Sequence, residues 1–310
     1  MLEIKELKKG YSDGDVLCGV SLCLDKKGIY GILGKKGSGK SVLARLMCGC
    51  EDADSGEILL NGEPVSRKAL ALKRKIRLVP TALEIDGMMN AVEYLDFVGT
   101  AMGVPSEKRY RQIKEAIELC ELSEFQYRSF SRLLKMQKAR LSLAASLIGN
   151  PDVIVLDAPF GVQFAEVKGV LKMLSKIKTV VLLSHRTAEI RELCDSVSIL
   201  HGGKIAVSGS IDEIERMVNA EQRMFITVRG NKDKICEAVR AVEGVVSIKQ
   251  ESTKANNVGT YAVEHTGAGA TKDRLYAALS AIDAPMLSVK EEKLTFEDVF
   301  YSLTSGGDQK

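Results

Sequence analysis

Apolar and polar positions follow two periods along the first two thirds of the chain. Short runs rich in leucine and β-branched residues predict buried strands, and apolar residues between these runs recur at helical spacing. Gly28–Leu33 is such a run, and residues 40–48 predict the helix that follows it. This alternation predicts a parallel sheet with helices on its faces. Further strands are predicted at Ile76–Val79, 153–156 and 179–183, and a further helix at 107–122.

The two ends of the chain follow other patterns. At the N-terminus, apolar residues precede an Asp13-Gly14 turn and a second apolar run over 16–24, which predicts an antiparallel piece. After Val218, four strand-like runs and two helix-like segments occur in the order βαββαβ, which is typical of a small ferredoxin-like α+β domain. We therefore predict two domains, residues 1–218 and 219–310. The strand-like runs are 224–228, 245–249, 261–264 and 286–289, and the helix-like segments are 232–243 and 271–282.

Composition and charge exclude several classes of function. The net charge is +3, with 44 basic and 41 acidic residues interspersed, so we expect no nucleic-acid partner. The seven cysteines form no Cys-x-x-Cys pair and the three histidines do not cluster with them, so we expect reduced thiols in a cytoplasmic protein and no cysteine-based metal site. No apolar run approaches the roughly 18 residues that span a bilayer. Work at a membrane would therefore require a partner that holds the chain there.

Residues 34–41 carry the strongest chemical signal. Their sequence, Gly-Lys-Lys-Gly-Ser-Gly-Lys-Ser, matches G-x-x-x-x-G-K-[ST] in full and lies between a predicted strand and a predicted helix. Glycines let the backbone wrap phosphate oxygens at a helix N-terminus, the lysine reaches the β- and γ-phosphates, and the last serine ligates magnesium. We therefore predict a site for ATP with Mg²⁺. The assigned residues are Gly34, Lys35, Lys36, Gly37, Ser38, Gly39, Lys40 and Ser41.

Asp157 ends the predicted strand 153–156. A carboxylate at the end of a buried strand is costly without a partner, and a magnesium ion beside Ser41 would provide one. We interpret Ser41 and Asp157 as the protein's magnesium ligands.

Together with their flanks, these motifs resemble the ATP-binding subunit of an ABC transporter over residues 1–218. The resemblance places Tyr11 at the aromatic position that stacks on adenine, and His185 at the switch histidine that contacts the γ-phosphate. Residues 193–209 resemble the family's strand-turn-strand ending. The implied fold is an α/β, P-loop NTPase domain of the ABC type with an antiparallel β subdomain and a helical subdomain.

The end of the chain resembles a subgroup of these ATPases. Residues 294–304 are similar to the end of ATPases that pair with separate exporter-type permeases, although an amphipathic helix capping the second domain is the alternative. The resemblance implies a transmembrane permease partner and a second ATP-binding subunit, in a homodimer or a heterodimer. It also implies a position at the inner face of the cell membrane, held there by the permease.

Several positions depart from the family pattern, and they concern hydrolysis. Ala158 stands where the catalytic glutamate is expected, and loss of a positioned general base costs roughly 10²–10⁴-fold in rate. Thr81 replaces a glutamine that senses magnesium, with a shorter reach. The family signature Leu-Ser-Gly-Gly-Gln aligns with residues 133–137, where the serine and glycines are replaced and Gln137 remains. The loop at 160–164 also lacks the family's aspartate.

The sequence thus predicts a transporter subunit that binds MgATP but hydrolyses it weakly or not at all. Under this hypothesis ATP acts chiefly as a ligand that closes a dimer, and whether the chain is an enzyme stays open. A non-transport ATP-sensing or scaffold pseudo-ATPase is the alternative. A soluble translation or repair ATPase fits less well, because such proteins commonly carry two cassettes or a coiled-coil insertion. A metabolic P-loop kinase is disfavoured, because no acceptor site or lid is recognisable.

Overall fold

The computed structural model of the chain describes residues 1–69, 72, 74–79, 85–157, 164–218, 221–254, 257–266, 271–292 and 295–305. Contacts divide the chain into two compact units. The first is Met1–Ile211 with the described residues from Leu303 onward, and the second is Asp212–Ser302. The division falls seven residues before the predicted domain boundary after Val218, whose exact place stays a prediction.

The first unit begins with an antiparallel sheet whose strand order is β2-β1-β4-β5. The predicted N-terminal hairpin forms its first two strands, which meet at Tyr11 and Gly14. Apolar side chains on its inner face join the core beneath the first helix and the central sheet. The strands are β1 (Leu2–Tyr11), β2 (Gly14–Leu24), β4 (Ser55–Leu60) and β5 (Glu63–Pro64).

A bulge at Glu6 explains why three apolar residues of β1 share one face although their spacing is irregular. Leu2 and Ile4 are two residues apart and point into the core, so strict alternation would bury Glu6 next. Glu6 instead adopts φ 47°, the pairing with β2 shifts between Ile4 and Leu7, and Leu7 becomes fully buried. A Cβ on Gly56 of β4 would lie 2.4 Å from the Glu6 carbonyl oxygen, so the bulge requires a glycine opposite.

The central sheet of the first unit has six strands in the order β10-β9-β3-β8-β7-β6. Its inner strands run parallel and only the β9–β10 edge pair is antiparallel, which confirms the predicted α/β architecture. The strands of this sheet are β3 (Gly28–Leu33), β6 (Ile76–Val79), β7 (Val153–Asp157), β8 (Thr179–Ser184), β9 (Ser196–His201) and β10 (Lys204–Gly209).

Helices cover the central sheet and build a separate helical subdomain. The first helix packs against β6, β7 and β8, whereas the second, third and fourth pack on one another. The predicted helix at 107–122 ends at Leu119, because Glu121 takes the left-handed conformation with φ 53°. The helices of this unit are α1 (Lys40–Met47), α2 (Ala91–Ala101), α3 (Ser106–Leu119), α4 (Lys135–Leu147), α5 (Phe164–Ser175) and α6 (Thr187–Leu193).

The second unit has an antiparallel sheet of order β12-β13-β11-β14. With helices after its first and third strands, this order is that of a ferredoxin-like domain and confirms the prediction. The elements are α7 (Ile211–Val218, which starts in the first unit), β11 (Glu221–Arg229), α8 (Lys232–Arg240), β12 (Val245–Lys254), β13 (Val258–Thr266), α9 (Thr271–Ser280), β14 (Met286–Glu292) and α10 (Phe296–Ser305, which ends in the first unit).

His265 is an unusual polar residue in the second unit. It lies on β13, is only 3% exposed, and neither ring nitrogen has a hydrogen-bond partner within the described part of the chain. Burial lowers the pKa of the imidazole, with the negative charge of Glu291 opposing the shift. The folded state therefore holds His265 in its neutral form.

We expect the second unit to lose stability in mild acid through His265. The unfolded chain takes up a proton near pH 6.5, whereas the folded chain resists protonation until a lower pH. The free energy of unfolding should therefore be insensitive to His265 above about pH 7.5 and fall below about pH 6.5.

His265→Leu should remove this part of the pH dependence without lowering stability at pH 7.5, because an unpaired buried polar group costs about 1–3 kcal/mol. Calorimetric unfolding of the full chain at pH 7.5 and 5.5 tests this, with His201→Leu in the first unit as control. An identical acid shift in wild type and His265→Leu would contradict it.

Candidate functional site

Three neighbouring strands bring the predicted site residues to one edge of the central sheet. β3 ends at the phosphate loop, β7 ends at Asp157, and β8 ends just before His185. Leu33 pairs with Ser184, and Asp157 pairs with Leu183. Because these strands are parallel, their carboxyl ends meet at the same edge, which is where ligands bind in such sheets.

The phosphate loop depends on two left-handed glycines. Gly37 has φ 79° and Gly39 has φ 93°, conformations that other residues rarely adopt. A Cβ on Gly39 would lie 3.0 Å from side-chain carbons of both Val16 and Leu17. The glycine therefore lets the loop lie against β2 and start α1 at Lys40, with the helix N-terminus at the loop.

Lys40 is the buried cation of the site, only 8% exposed. Its Nζ donates to the carbonyl oxygens of Gly34 and Lys35, at 2.7 Å each, and to Ser38 Oγ at 3.2 Å. Burial lowers the pKa of Lys40, and the negative charge of Asp157 opposes that shift. The Lys40 ammonium and the Asp157 carboxylate are therefore close enough for their charges to interact.

The other two loop lysines have different surroundings. Lys36 is exposed. Lys35 donates from Nζ to the carbonyl oxygen of Thr304 at 2.8 Å, within the same unit. A cavity of about 290 Å³ borders the loop at Lys35, Lys36 and Ser38 and reaches the start of β2 and the turn between β9 and β10. A larger cavity of about 380 Å³, between α2 and α3, is lined by none of the predicted site residues.

His185 follows β8 and has an exposed side chain. Desolvation and the positive charges of Lys36 and Lys40 lower the pKa of its imidazole, with a smaller effect from Arg186. The ring is therefore neutral at pH 7 and can donate one hydrogen bond without adding charge. The backbone N–H of Gly34 donates to the Ser184 carbonyl oxygen at 3.2 Å, which ties the phosphate loop to the strand that carries His185.

Tyr11 ends β1 and is 44% exposed. Its hydroxyl donates to Glu51 Oε2 at 2.5 Å, and Arg45 Nε of α1 donates to Glu51 Oε1 at 2.6 Å. These bonds lower the pKa of Glu51, and the Tyr11 hydroxyl has the largest effect. Glu51 therefore links the hydroxyl end of the Tyr11 side chain to Arg45 of α1, and Lys9 Nζ lies 5.6 Å from the centroid of the Tyr11 ring.

The side chain of Gln137 bonds to the residue that caps its own helix. It is 2% exposed, and its Oε1 accepts a hydrogen bond from the Leu134 backbone N–H at 3.0 Å. The side-chain oxygen thus satisfies the start of α4. Leu134, at the position of the family's serine, is 61% exposed and offers no hydroxyl. Ala158 and Thr81 lie outside the described residues.

The sequence analysis missed two residues of this region, Glu51 and Glu189. Glu51 fixes Tyr11, and Glu189 binds the residues on both sides of His185. A glutamate in the first turn of a helix indicates a bond to the backbone of the cap residue, and the bond of Glu189 to the Ser184 side chain of the preceding strand has no such local signal in the sequence.

The part of the chain that carries the phosphate loop and Asp157 is similar to known proteins. Residues 17–161 match the family model described as ABC transporter. The chain is 25% identical over 98% of both lengths to the linearmycin resistance ATP-binding protein LnrL of Bacillus subtilis. It is 27% identical to the Nod factor export ATP-binding protein I of Rhizobium sp., over 81% of this chain and 84% of that protein. Other relatives carry the names of import proteins.

Solved structures show the same fold. One is a dimeric ATP-binding cassette in a post-hydrolysis state with ADP and Pi, to which the chain aligns with a TM-score of 0.60 and 22% identity. The alignment covers 68% of this chain and 98% of that one.

The sheet edge and the phosphate loop belong to an ABC ATPase fold, a mixed α/β fold with an antiparallel β subdomain and a helical subdomain. Residues 17–161 match the ABC transporter family model, and the chain as a whole is similar to proteins named as ABC-type ATP-binding subunits. No helix of the described segments is both long enough and apolar enough to cross a membrane.

Two substitutions of Tyr11 should separate the contribution of its ring to ATP binding from that of its hydroxyl. We expect Tyr11→Ala to weaken ATP binding roughly fivefold to hundredfold, because stacking of a base on an aromatic ring is worth about 1–3 kcal/mol. Tyr11→Phe keeps the ring and loses only the bond to Glu51, so its affinity should fall by a smaller factor. Titration calorimetry with ATP measures both, and equal affinities of wild type and Tyr11→Ala would show that the adenine binds elsewhere.

Proposed function

We propose that this chain is the ATP-binding subunit of an exporter-type ABC transporter, which binds MgATP and hydrolyses it slowly beside a separate membrane permease. The observation that carries the proposal is the meeting of the phosphate loop, Asp157 and His185 at one sheet edge, with Lys40 enclosed by the loop. These groups provide a cation, backbone donors and a neutral imidazole for a triphosphate.

ATP would bind with its phosphates in the loop from Gly34 to Ser41. The start of α1 provides backbone N–H groups and the positive end of the helix dipole. Lys40 would exchange its bonds to loop carbonyl oxygens for bonds to phosphate oxygens, which are stronger because both partners are charged. His185, held among Lys36 and Lys40, would donate to the γ-phosphate.

The donor set fits magnesium. Asp157 is half-buried at the end of β7, and its negative charge acts on Lys40 of the phosphate loop, so it is a candidate oxygen ligand. The Ser41 hydroxyl at the start of α1 is a second oxygen ligand. Magnesium prefers such ligands and usually completes its shell with water and phosphate oxygens, which is consistent with two protein ligands. The ion would neutralise phosphate charge when bound.

Slow hydrolysis is proposed from residues that this chain lacks. Ala158 has no carboxylate to polarise an attacking water, and the hydroxyl and glycines of the signature are replaced by Leu134, Lys135 and Met136. In an ABC dimer the phosphate loop of one subunit faces the signature of the other. A homodimer of this chain would therefore carry both changes at both sites, and a heterodimer with an intact partner would carry one change at each.

Under this proposal ATP acts as the ligand that closes the dimer. A ligand that binds only the closed state stabilises it by RT ln(1 + [L]/Kd), about 4 kcal/mol at a thousandfold excess over Kd. Such closure needs binding and does not need turnover.

Export and a separate permease are proposed from similarity. LnrL matches this chain over 98% of both lengths, so the likeness includes the second unit, and the Nod factor relative is named for export. ABC ATP-binding subunits pair with permeases and dimerise, and the chain would lie at the inner face of the membrane through such a partner.

The first prediction of this proposal separates binding from turnover. Wild type should bind MgATP, and Lys40→Ala should lose that binding, because a buried cation among the phosphates is removed. Single-turnover hydrolysis by wild type should be roughly 10²–10⁴-fold slower than that of family members with the glutamate.

Ala158→Glu is the matched variant in that experiment, and we expect it to raise single-turnover hydrolysis. Hydrolysis by wild type at an ordinary family rate would mean that another group replaces the missing carboxylate. It would overturn the proposed weak hydrolysis while leaving ATP binding intact.

The second prediction concerns the partner. Affinity capture of the tagged chain from detergent-solubilised native membranes should recover a polytopic membrane protein, identified by mass spectrometry. Capture of a soluble dimer alone, from membranes in which the chain is present, would favour the pseudo-ATPase scaffold instead.

A further inference from the structure

A small hydrogen-bonded group surrounds the position of His185. Ser184 Oγ donates to Glu189 Oε2 at 2.6 Å, and both side chains are buried, with 0% and 9% exposure. The Arg186 backbone N–H donates to the same Ser184 Oγ at 3.0 Å, and Arg186 Nη1 donates to Glu189 Oε1 at 3.2 Å. We name Ser184, Arg186 and Glu189 the switch clamp.

The switch clamp holds the chain on both sides of one residue. Ser184 precedes His185 and Arg186 follows it, and each bonds to the carboxylate of Glu189. Glu189 comes from the first turn of α6. One buried carboxylate therefore fixes both peptide units that determine where the His185 side chain starts. The Ser184 carbonyl oxygen also accepts from the Gly34 N–H, so the same clamp is joined to the phosphate loop.

The hydrogen bonds of the switch clamp differ from those that ordinarily cap the start of a helix. Arg186 is the residue that caps α6, and its side chain makes no capping bond to the helix backbone. A glutamate at this position of a helix ordinarily bonds back to the backbone N–H of the cap residue. Glu189 instead reaches the side chain of Ser184, one residue beyond His185, at the end of β8. The carboxylate is thus bound to the segment that carries the histidine rather than to the helix start alone.

We propose that Glu189 is a positioning residue for His185, acting through Ser184 and Arg186 to aim the imidazole at the phosphate loop. The ligand contact of His185 rests on the proposed function, but the positioning itself does not require a ligand. Loss of the clamp should free the segment from Ser184 to Arg186 and change the orientation and surroundings of the ring.

Among the described residues, the charged groups that act on the imidazole are Lys36, Lys40, Arg186 and Glu189, and of these four Glu189 is the negative one. Removal of its charge should therefore lower the pKa of His185 further. Removal of the Ser184 hydroxyl should move the ring while leaving that charge in place. The two variants thus separate the geometric effect of the clamp from its electrostatic effect.

The chain has three histidines, which makes a direct test practical. Full-length protein with ¹³C-labelled histidine is titrated by NMR, and His185→Ala assigns the resonance of interest. We expect Ser184→Ala and Glu189→Gln to shift the His185 ring signals, with a lower pKa in Glu189→Gln and unchanged His201 and His265. Ser184→Thr, which keeps the hydroxyl, should restore the wild-type signal.

Ser198→Ala is the matched control. Ser198 is a buried serine of β9, which is separated from β8 by β3 in the central sheet, and its Oγ lies 2.7 Å from Ser208 Oγ. This variant should leave the His185 signals unchanged. Unchanged His185 signals and pKa in Ser184→Ala and Glu189→Gln, with only a lower melting temperature, would overturn the proposal and reduce the clamp to a folding element.

A binding experiment tests whether the positioning of His185 affects nucleotide affinity. The ratio of the Kd for ADP to the Kd for ATP reports the γ-phosphate contact and requires no hydrolysis. Ser184→Ala should lower this ratio roughly threefold to thirtyfold, a typical coupling between contacting residues, and should have no further effect in a His185→Ala background. An equal loss in both backgrounds would show that Ser184 acts independently of His185 and would overturn the proposal.

The two failures are distinguishable. If His185→Ala leaves the ADP-to-ATP ratio unchanged while the NMR shifts occur, the proposed γ-phosphate contact is refuted and the positioning of the ring is supported. If the ADP-to-ATP ratio falls in His185→Ala but the His185 NMR signals are the same in wild type and in the clamp variants, the proposed function stands and the positioning role is refuted.

Discussion

A buried ammonium group needs acceptors on all sides, and Lys40 imposes that requirement on the whole sheet edge. Its three donors are satisfied by two loop carbonyl oxygens and a serine hydroxyl, so the loop must curl around Nζ. That curl needs the left-handed glycines 37 and 39 and the close approach of β2. The loop, the start of α1 and the start of β2 therefore lie around one charged atom, and in the proposed complex phosphate oxygens would replace the carbonyl oxygens at Lys40.

The same geometry divides the site into a part that binds and a part that reacts. The binding part consists of the loop, Asp157 and the segment after β8, which are joined through backbone pairing. These groups depend on the fold, because the sheet cannot form without bringing them together. Under the proposed function, the reacting part would depend on single side chains at position 158 and in the signature region, where Leu134 is exposed. Substitution at those positions would remove chemistry without changing the residues of the phosphate loop.

Much of the fold follows from the sequence because its signals are local. Buried β-branched runs predict the central strands, the glycine pattern predicts the loop, and the βαββαβ order predicts the ferredoxin-like sheet. The bulge at Glu6 could not be predicted, because it depends on the contact with Gly56 on a neighbouring strand. Strand order also depends on distant pairings. Gln137 is assigned as a ligand through its alignment with the family signature, and that assignment stays a prediction; the sequence does not predict that its buried side chain bonds to the start of its own helix.

The contacts of His185 also bear on what the site would do if it turns ATP over slowly. A subunit that works by closing on ATP must still distinguish ATP from ADP, and only the γ-phosphate differs between them. Distinguishing the two requires a donor held at a fixed place, because a mobile side chain gives up in conformational entropy much of what the contact gains. The described chain keeps such rigidity around His185, where one carboxylate binds both flanking residues. Under the proposed function, an imidazole held in place beside an alanine at the position of the general base would suit a subunit that works by binding ATP rather than by turning it over.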